Sequence, residues 1–463
     1  MARGRELPTL ERLAVIKEDG TRNHVHPADV RGRFSRMKPW VYAVLILVYA
    51  SLPWIQVGGH PAVLIDIPMR HFYFFGANYN AQDFYLAFFL LTGIGFSLIV
   101  VSALWGRLWC GWACPQTVFL EGVYRRIERW IDGPRERRIA LQNGPWTAEK
   151  VGKRVLKHGL FLAVSLVVAH VFVSYFVSMP RLLGMVRHNP VENWTVFLWM
   201  SAVTGVVFFN FFWFREQLCL VICPYGRLQS VLQDKDTLII GYDRKRGEPR
   251  GKAKDPSAGA CVDCGRCVAV CPTGIDIRNG LQMECIGCAN CVDACDEVMT
   301  RLGRDPGLIR YDSRRGLDEG ARRFWRPRVL LYTVAGAVGL SVAVFTFSRH
   351  QAFEANVVHT GSVPFAVVEG KVLNHRVVHL INKQSSEAEI VIRQRHGDVA
   401  HAIIPQPRHK LAPLASHEAP IVLEVDRHNF APGMRVHLEV EDVASGNLRL
   451  VEVEVLGPKG AAP

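Results

Sequence analysis

From position 349 to the C-terminus the sequence has no cysteine, so that part can form neither a disulfide staple nor a thiolate metal site. Nowhere is there a C-x-x-C-H run, which excludes covalently attached c-type haem. A P-loop and a convincing dinucleotide fingerprint are also absent, so electrons are expected from another protein or from quinol, the electron donor being undefined by the chain. No small-residue cleavage site follows the first apolar segment, and the polar N-terminal stretch is too long for a signal-peptide head. Acidic residues are scarce: 42 against 55 Lys and Arg, a formal charge of +13. From Ser348 onward, however, 12 basic residues meet 13 acidic ones, so the surplus lies upstream beside apolar segments. No groove-reading motif accompanies that charge, and no nucleic acid is expected as a partner.

What is abundant is apolar. Hydrophobic residues make up 49% of the 463 and the mean hydropathy is +0.11, too high for an ordinary soluble protein. Five spans are expected, at 40–57, 84–105, 159–179, 194–214 and 329–347, with Pro53 kinking the first. The basic side chains cluster at one end of each: Arg31, Arg33, Arg36 and Lys38 before the first, Arg107 to Arg154 after the second, and the stretch from Arg215 to Arg328 after the fourth. The loop 58–83 carries only Arg70 as a full-time cation. By the positive-inside rule the N-terminus and the basic loops are cytoplasmic and the C-terminal part is periplasmic. Trp40, Trp54, Trp105, Trp194 and Trp325 mark the interfaces. Residues 118–131, with Arg125, Arg126 and Arg129, read as an amphipathic helix lying along the membrane surface.

Beyond His350 the pattern becomes alternating and β-branched. Strands are expected at 371–381, 388–393, 399–404, 420–425, 434–441 and 448–456, which suggests an antiparallel, immunoglobulin-like β-sandwich. Counting His350, ten of the 17 histidines lie here. His375 and His379 share a strand face and are candidates for copper contact, with solvated strand histidines as the simpler alternative. His170, inside the third span, is read as a hydrogen-bonding residue and not as a haem ligand.

Eight of the 12 cysteines form two runs of C-x2-C-x2-C-x3-C: Cys261, Cys264, Cys267, Cys271, then Cys285, Cys288, Cys291, Cys295. Three thiolates at this spacing wrap one corner of an iron–sulfur cube, and the fourth ligates the other cube. Two [4Fe–4S] clusters follow, one on Cys261, Cys264, Cys267 and Cys295, the other on Cys285, Cys288, Cys291 and Cys271. Zinc prefers separated pairs, and disulfides need an oxidising compartment, so both fit poorly. Gly265, Gly274 and Gly287 let the backbone approach the sulfides. The second run ends in Asp296 where the first has Pro272.

The remaining four cysteines make a repeat, C-x3-C-P at Cys110 and Cys114 and again at Cys219 and Cys223, each after a helical hairpin of the same orientation. Each proline breaks the helix, placing each pair at a helix end. If the halves pair about an axis along the membrane normal, the four thiols converge on a site for copper, an iron–sulfur centre or zinc. The alternative is four unligated buried cysteines.

With the paired runs, both C-x3-C-P motifs, the spans and the terminal sandwich placed, the chain closely resembles the cytochrome c oxidase accessory proteins known as CcoG, FixG or RdxA. The resemblance extends over nearly the whole chain. It implies a multi-domain, multi-pass protein of the bacterial inner membrane that reduces Cu(II) to Cu(I) during assembly of a cbb3-type oxidase. The organisation would be a basic cytoplasmic segment at 1–39, a four-helix membrane region at 40–235, a ferredoxin-like 2[4Fe–4S] domain at 236–327, a fifth transmembrane helix at 328–348 and the periplasmic sandwich at 349–463. Copper ion as substrate, copper-handling proteins, cbb3-type oxidase assembly components, the lipid bilayer and a second copy in a homo-oligomer are the partners that this implies. Cys110, Cys114, Cys219 and Cys223 would then be the catalytic thiols. Two other classes stay open: an electron-transfer subunit passing quinol electrons to a respiratory partner, and a mainly structural oxidase assembly factor.

Overall fold

The computed structural model describes residues 24–458 apart from 68–70, 81–83, 322, 349–352, 360–362 and 385. The basic residues Arg3, Arg5, Arg12, Lys17 and Arg22 of the N-terminal segment therefore lie outside the described residues. The chain divides into two compact units, Met1–Ile55 with Phe88–Ala343, and Gln56–Ala87 with Val344–Pro463.

The first unit opens with α1 (Arg33–Ser51). Its first turn is capped from far along the chain: the Asp293 carboxylate accepts from the amides of Phe34 (3.2 Å) and Ser35 (2.7 Å). An acceptor there satisfies amides that no helix can satisfy itself. Gly32 is needed beside it, because a Cβ would collide with that carboxylate. Lys38, inside α1, is buried and donates to Asn290.

Four helices among the described residues are long and apolar enough to cross a membrane: Phe88–Trp105, Ala148–Ser174, Trp194–Phe214 and Pro327–Phe345. The expected first span, 40–57, is not one of them. Its helix ends at Ser51 and its first half carries Arg33, Arg36 and Lys38, so its apolar run falls short of the about 20 residues that a bilayer requires. Four candidate spans are therefore described where five were expected.

A short ladder, β1 (Gln56–Val57) with β2 (His60–Pro61), and a meander of β3 (Val63–Asp66), β4 (His71–Phe74) and β5 (Ala77–Asn80) belong to the second unit. Residues 58–83 were expected only as a loop. Then α2 (Phe84–Trp105) leads into α3 (Leu108–Trp112) and α4 (Pro115–Phe119). A π-bulge at Leu120–Tyr124 joins α4 to α5 (Arg125–Asp132), and α6 (Arg135–Asn143) follows. The long α7 (Ala148–Ser174), capped by the Thr147 hydroxyl, packs on α9 (Trp194–Phe209) across Ala169, Val173 and Met200, with α8 (Met179–Arg187) adding Leu182. After α9 come two π-bulges, Asn210–Phe214 and Leu218–Ile222, and α10 (Pro224–Leu232).

The cysteine-rich lobe is framed by β6 (Ile239–Tyr242) paired antiparallel with β7 (Ile309–Asp312). Between them lie α11 (Arg244–Gly247), α12 (Arg266–Ala269) and α13 (Asn290–Arg301), and α14 (Arg314–Glu319) follows. Ile240, Ile275, Ile277, Val292, Met299, Leu308 and Ile309 make its core together with Cys261, Cys267 and Cys285. The last helix of the unit, α15 (Pro327–Ser348), is the fourth apolar one.

The rest of the second unit is a two-sheet β-sandwich. One sheet has the order β12 (His401–Ile403), β14 (Ser416–Asp426), β10 (Lys371–Asn382), β8 (Phe353–His359), with β9 (Ala366–Val368) also on β10. The other runs β13 (Arg408–Leu411), β11 (Ala388–Gln394), β15 (Arg435–Asp442), β16 (Leu448–Glu454), and all pairs are antiparallel. Alternate residues such as Val372, Val378, Leu380, Ile390, Ile392, Leu423, Val436 and Leu438 fill one shared core. The six expected strands are present; β8, β9 and β13 escaped notice, being short or interrupted by polar residues.

The expected amphipathic helix at 118–131 needs correction. Arg125, assigned to an exposed face, is only 2% exposed. Its guanidinium pairs with Glu121 and with Glu216 (3.1 Å), and donates to the Pro272 carbonyl (3.0 Å), directly after Cys271. One turn on, Glu128 is buried against Arg215, and Lys157 pairs with Asp132. Burial alone would raise the Glu128 carboxyl, but the Arg215 charge and hydrogen bonds, aided by Lys157 and Arg125, hold it at about 2. Removing one partner of such a pair strands the other. Glu128→Ala is therefore expected to lower stability by about 3–5 kcal/mol, seen as a lower unfolding midpoint in detergent, while Glu128→Leu with Arg215→Met recovers most of it. Because the folded carboxyl is depressed, its contribution is complete above pH 4.5 and is lost as pH falls toward 2, which an acid titration of the midpoint will show.

Candidate metal centres

The two cysteine runs fold as matching loops. In the first, Asp263 (φ +49°) and Gly265 (φ +64°) take left-handed conformations on either side of Cys264; in the second, Gly287 (φ +67°) and Ala289 (φ +62°) do so around Cys288. These turns curl each chain back on itself so that the sulfurs face one centre. Asp263 and Ala289 do this without glycine's freedom, a strain that persists only where the surroundings impose it. Sequence inspection singled out the glycines and missed these two.

Cys261, Cys264, Cys267 and Cys295 line one cavity of about 380 Å³. Cys271, Cys285, Cys288 and Cys291 line a second of about 330 Å³, which Cys267 also touches. Because α13 carries both Cys291 and Cys295, one helix delivers sulfur to each cavity. The other lining groups are mainly apolar, including Ile240, Ile275 and Ile277 on one side and Val298, Met299 and Leu308 on the other. Burial pushes the Cys267 thiol up to about 11 and those of Cys285 and Cys295 up to about 12, so a cationic cluster core is what would let these sulfurs shed their protons. Among the described residues no three Cys, His, Asp or Glu side chains stand close enough to hold one metal ion. The sulfurs instead surround a larger space, which suits a four-iron cube. Among these eight, Cys264 alone is exposed. Asp296, which replaces the proline of the first run, accepts from the Gly307 amide at 2.8 Å and ties down the chain after α13.

The two C-x3-C-P motifs also match each other in detail. Pro115 is the first residue of α4 and Pro224 the first of α10, a position where a missing N–H is harmless. The preceding cysteines, Cys114 and Cys223, are extended, as a residue before proline must be. Gly106 (φ +56°) and Arg215 (φ +50°) stand at the same place ahead of Cys110 and Cys219, so both incoming helices end in a left-handed turn. The four thiols lie near enough to act on one another electrostatically. Burial raises Cys110 to about 11 and Cys219 to about 12; the charges of Cys114 and Cys223 add to the first, and those of Cys114, Cys110 and Cys223 to the second. The Cys110 thiol donates to Oε1 of the fully buried Gln229 at 3.4 Å.

Motif and cluster loop are in direct backbone contact. A Cβ on Gly111 would lie 2.7 Å from the Ile286 carbonyl oxygen and 2.9 Å from the Cys288 backbone. Gly287 reciprocates: a Cβ there would lie 3.0 Å from the Arg107 carbonyl oxygen. Around this contact the Tyr42 hydroxyl donates to the Gly111 carbonyl (2.9 Å), Tyr311 to the Gly287 carbonyl (2.6 Å), and the Trp112 indole to Tyr311 (3.1 Å). Arg107 bridges the Met283 and Gly226 carbonyls, joining the second cluster run to the second C-x3-C-P segment.

The histidine candidates lie elsewhere. His170 bonds the Leu166 carbonyl of its own helix at 2.8 Å. His375 and His379 project from the outer face of β10, between buried neighbours.

Comparison with known proteins agrees with this chemistry. The 4Fe-4S dicluster domain family matches residues 214–314, and the 4Fe-4S binding domain family matches residues 86–135, around Cys110 and Cys114. The nitrogen fixation protein FixG of Rhizobium meliloti is 38% identical over 408 residues, spanning 78% of this chain and 77% of that one. In Cereibacter sphaeroides, protein RdxA is 41% identical (69% of this chain, 71% of RdxA) and protein RdxB 36% (80% and 82%). Identity of this extent, over a chain with apolar helices and paired cysteine runs, makes it a member of the FixG/RdxA family, an iron–sulfur electron-transfer protein of the membrane.

Proposed function

We propose that electrons pass from the cluster on Cys271, Cys285, Cys288 and Cys291 to the four-thiol site of Cys110, Cys114, Cys219 and Cys223, where Cu(II) is reduced to Cu(I). The observation that carries this is the seating of Gly111 on the Cys288 backbone, which leaves no layer of protein between motif and cluster loop. Bound clusters supply single-electron storage. The chain's own residues hold and orient: Arg107 and Tyr42 lock the first motif, and Gln229 fixes the Cys110 thiol. Thiolates favour the softer reduced ion, which drives the change from Cu(II) to Cu(I). One electron is needed per ion, from an outside electron-carrier protein or quinol. In this reading the protein works in the bacterial inner membrane with its basic loops inside and an immunoglobulin-like sandwich outside, serving copper-handling proteins and cbb3-type oxidase assembly.

A second reading is favoured by the match of the 4Fe-4S binding domain family to residues 86–135. The same four thiols then hold a third cube, and the chain is an electron conduit. Iron and acid-labile sulfide in anaerobically purified protein separate the two: about eight of each for copper reduction, about twelve for the conduit.

For the copper reading, the reduced protein is expected to turn over Cu(II) in a Cu(I)-chelator assay, and Cys219→Ser with Cys223→Ser to slow it at least about tenfold. Unchanged rates refute the thiol site. Gly111→Val must push its side chain into the Cys288 loop, an overpacking of about 1–3 kcal/mol. It is expected to alter the paramagnetic signal of one reduced cluster, spare the other and slow copper reduction. Two unaltered signals with a normal rate would show that this contact is not the electron path.

A further inference from the structure

The β-sandwich holds a pair of imidazoles that electron transfer does not use. His409 lies on β13, opposite Ile390; His417 lies on β14 of the other sheet, opposite Leu380. Their ring centres are 4.7 Å apart and their planes are tilted by 41°. His409 is only 6% exposed, and its Nε2 has no hydrogen-bond partner. The Gln406 backbone lies beside the ring. A neutral imidazole with its proton on Nδ1 keeps a free lone pair on Nε2, the arrangement that metal-ligating histidines adopt. His417 is exposed and leaves the pair open to solvent.

The frame around the pair is rigid. Residues 412–415 carry the chain from one sheet to the other, with Leu414 in a left-handed conformation (φ +59°) and its amide bonded to the Gln384 carbonyl at 3.2 Å. The fully buried Asn382 holds the same corner, donating from its side chain to the carbonyls of Ser386 (2.8 Å) and Ala412 (3.1 Å) and from its amide to Ala415 (3.0 Å). A strained non-glycine turn fixed from several sides is a mark of a pre-organised site.

We infer that His409 and His417 form a two-imidazole binding site for a first-row divalent ion, Cu(II) most tightly by the Irving–Williams order, ahead of Ni(II) and Zn(II). Two imidazoles on adjacent positions of one ion, each at about 2.0–2.1 Å, place their ring centres roughly 4.5–5 Å apart, as here. Among the described residues no third Cys, His, Asp or Glu completes the set, so water fills the other positions and the ion exchanges readily. Such a site captures and passes on an ion; it does not store one.

The test is Cu(II) added below one equivalent to the oxidised, cluster-loaded protein, read by pulsed paramagnetic resonance of imidazole nitrogens. The wild type is expected to show two bound imidazoles and His417→Asn one, with His417→Asn weakening binding at least tenfold. His375→Asn with His379→Asn should change nothing. His417 is at the surface, so its variant keeps the fold, whereas His409→Asn alters the buried interior. Cys219→Ser should preserve the two-imidazole signal, which separates this site from the thiol site. A His417→Asn protein with wild-type signal and affinity overturns the assignment.

Discussion

The proposed electron path depends on one backbone contact, Gly111 lying against the peptide of Cys288. Each of the two segments belongs to a repeat, the C-x3-C-P motif on one side and the cysteine run on the other, and the contact is where the two repeats meet. No side chain larger than a hydrogen atom fits there. The left-handed turns at Gly106 and Gly287 bend both chains into position, and the hydroxyls of Tyr42 and Tyr311 fasten the two carbonyls that flank the junction.

Around that junction the unit is held by charges placed where charges are costly. Arg125 and Glu128 sit on a helix that has a π-bulge just before them, a distortion that re-aims the side chains following it. They reach Glu216 and Arg215 beside the second motif, and Arg125 also reaches the carbonyl after Cys271. A hydrophobic core of equal size would be as stable. What the ions add is direction, because each guanidinium has a fixed fork that accepts partners at only a few angles. One arginine thereby fixes the first motif's helix, the second motif and a cluster loop relative to one another.

Much of the architecture was legible in the sequence, for reasons that differ by element. The cysteine runs stood out because cluster chemistry fixes their spacing, and the sandwich strands because burial on one face enforces alternation, as along β10. The apolar helices were visible by length. What was not legible depends on partners distant in sequence. Asp293 caps α1 across 258 residues, and nothing near either residue announces it. The same contact explains why the first helix starts as early as Arg33. Arg125 looked like a surface residue because its neighbours Arg126 and Arg129 are basic too; only the acids at 121, 128 and 216 reveal an interior position. His409 and His417 lie on different sheets, and no spacing rule would have joined them.

The lone exposure of Cys264 gives the two cavities unequal fates in air. Dissolved oxygen and superoxide reach an iron–sulfur cube through its most solvent-facing ligand, and the first cavity has the exposed one. The cysteines of the second are buried or half-buried. With both cubes bound, oxidative loss of iron would begin at the Cys261 side, and the thiol uncovered first, Cys264, would be the one most open to sulfenic acid formation.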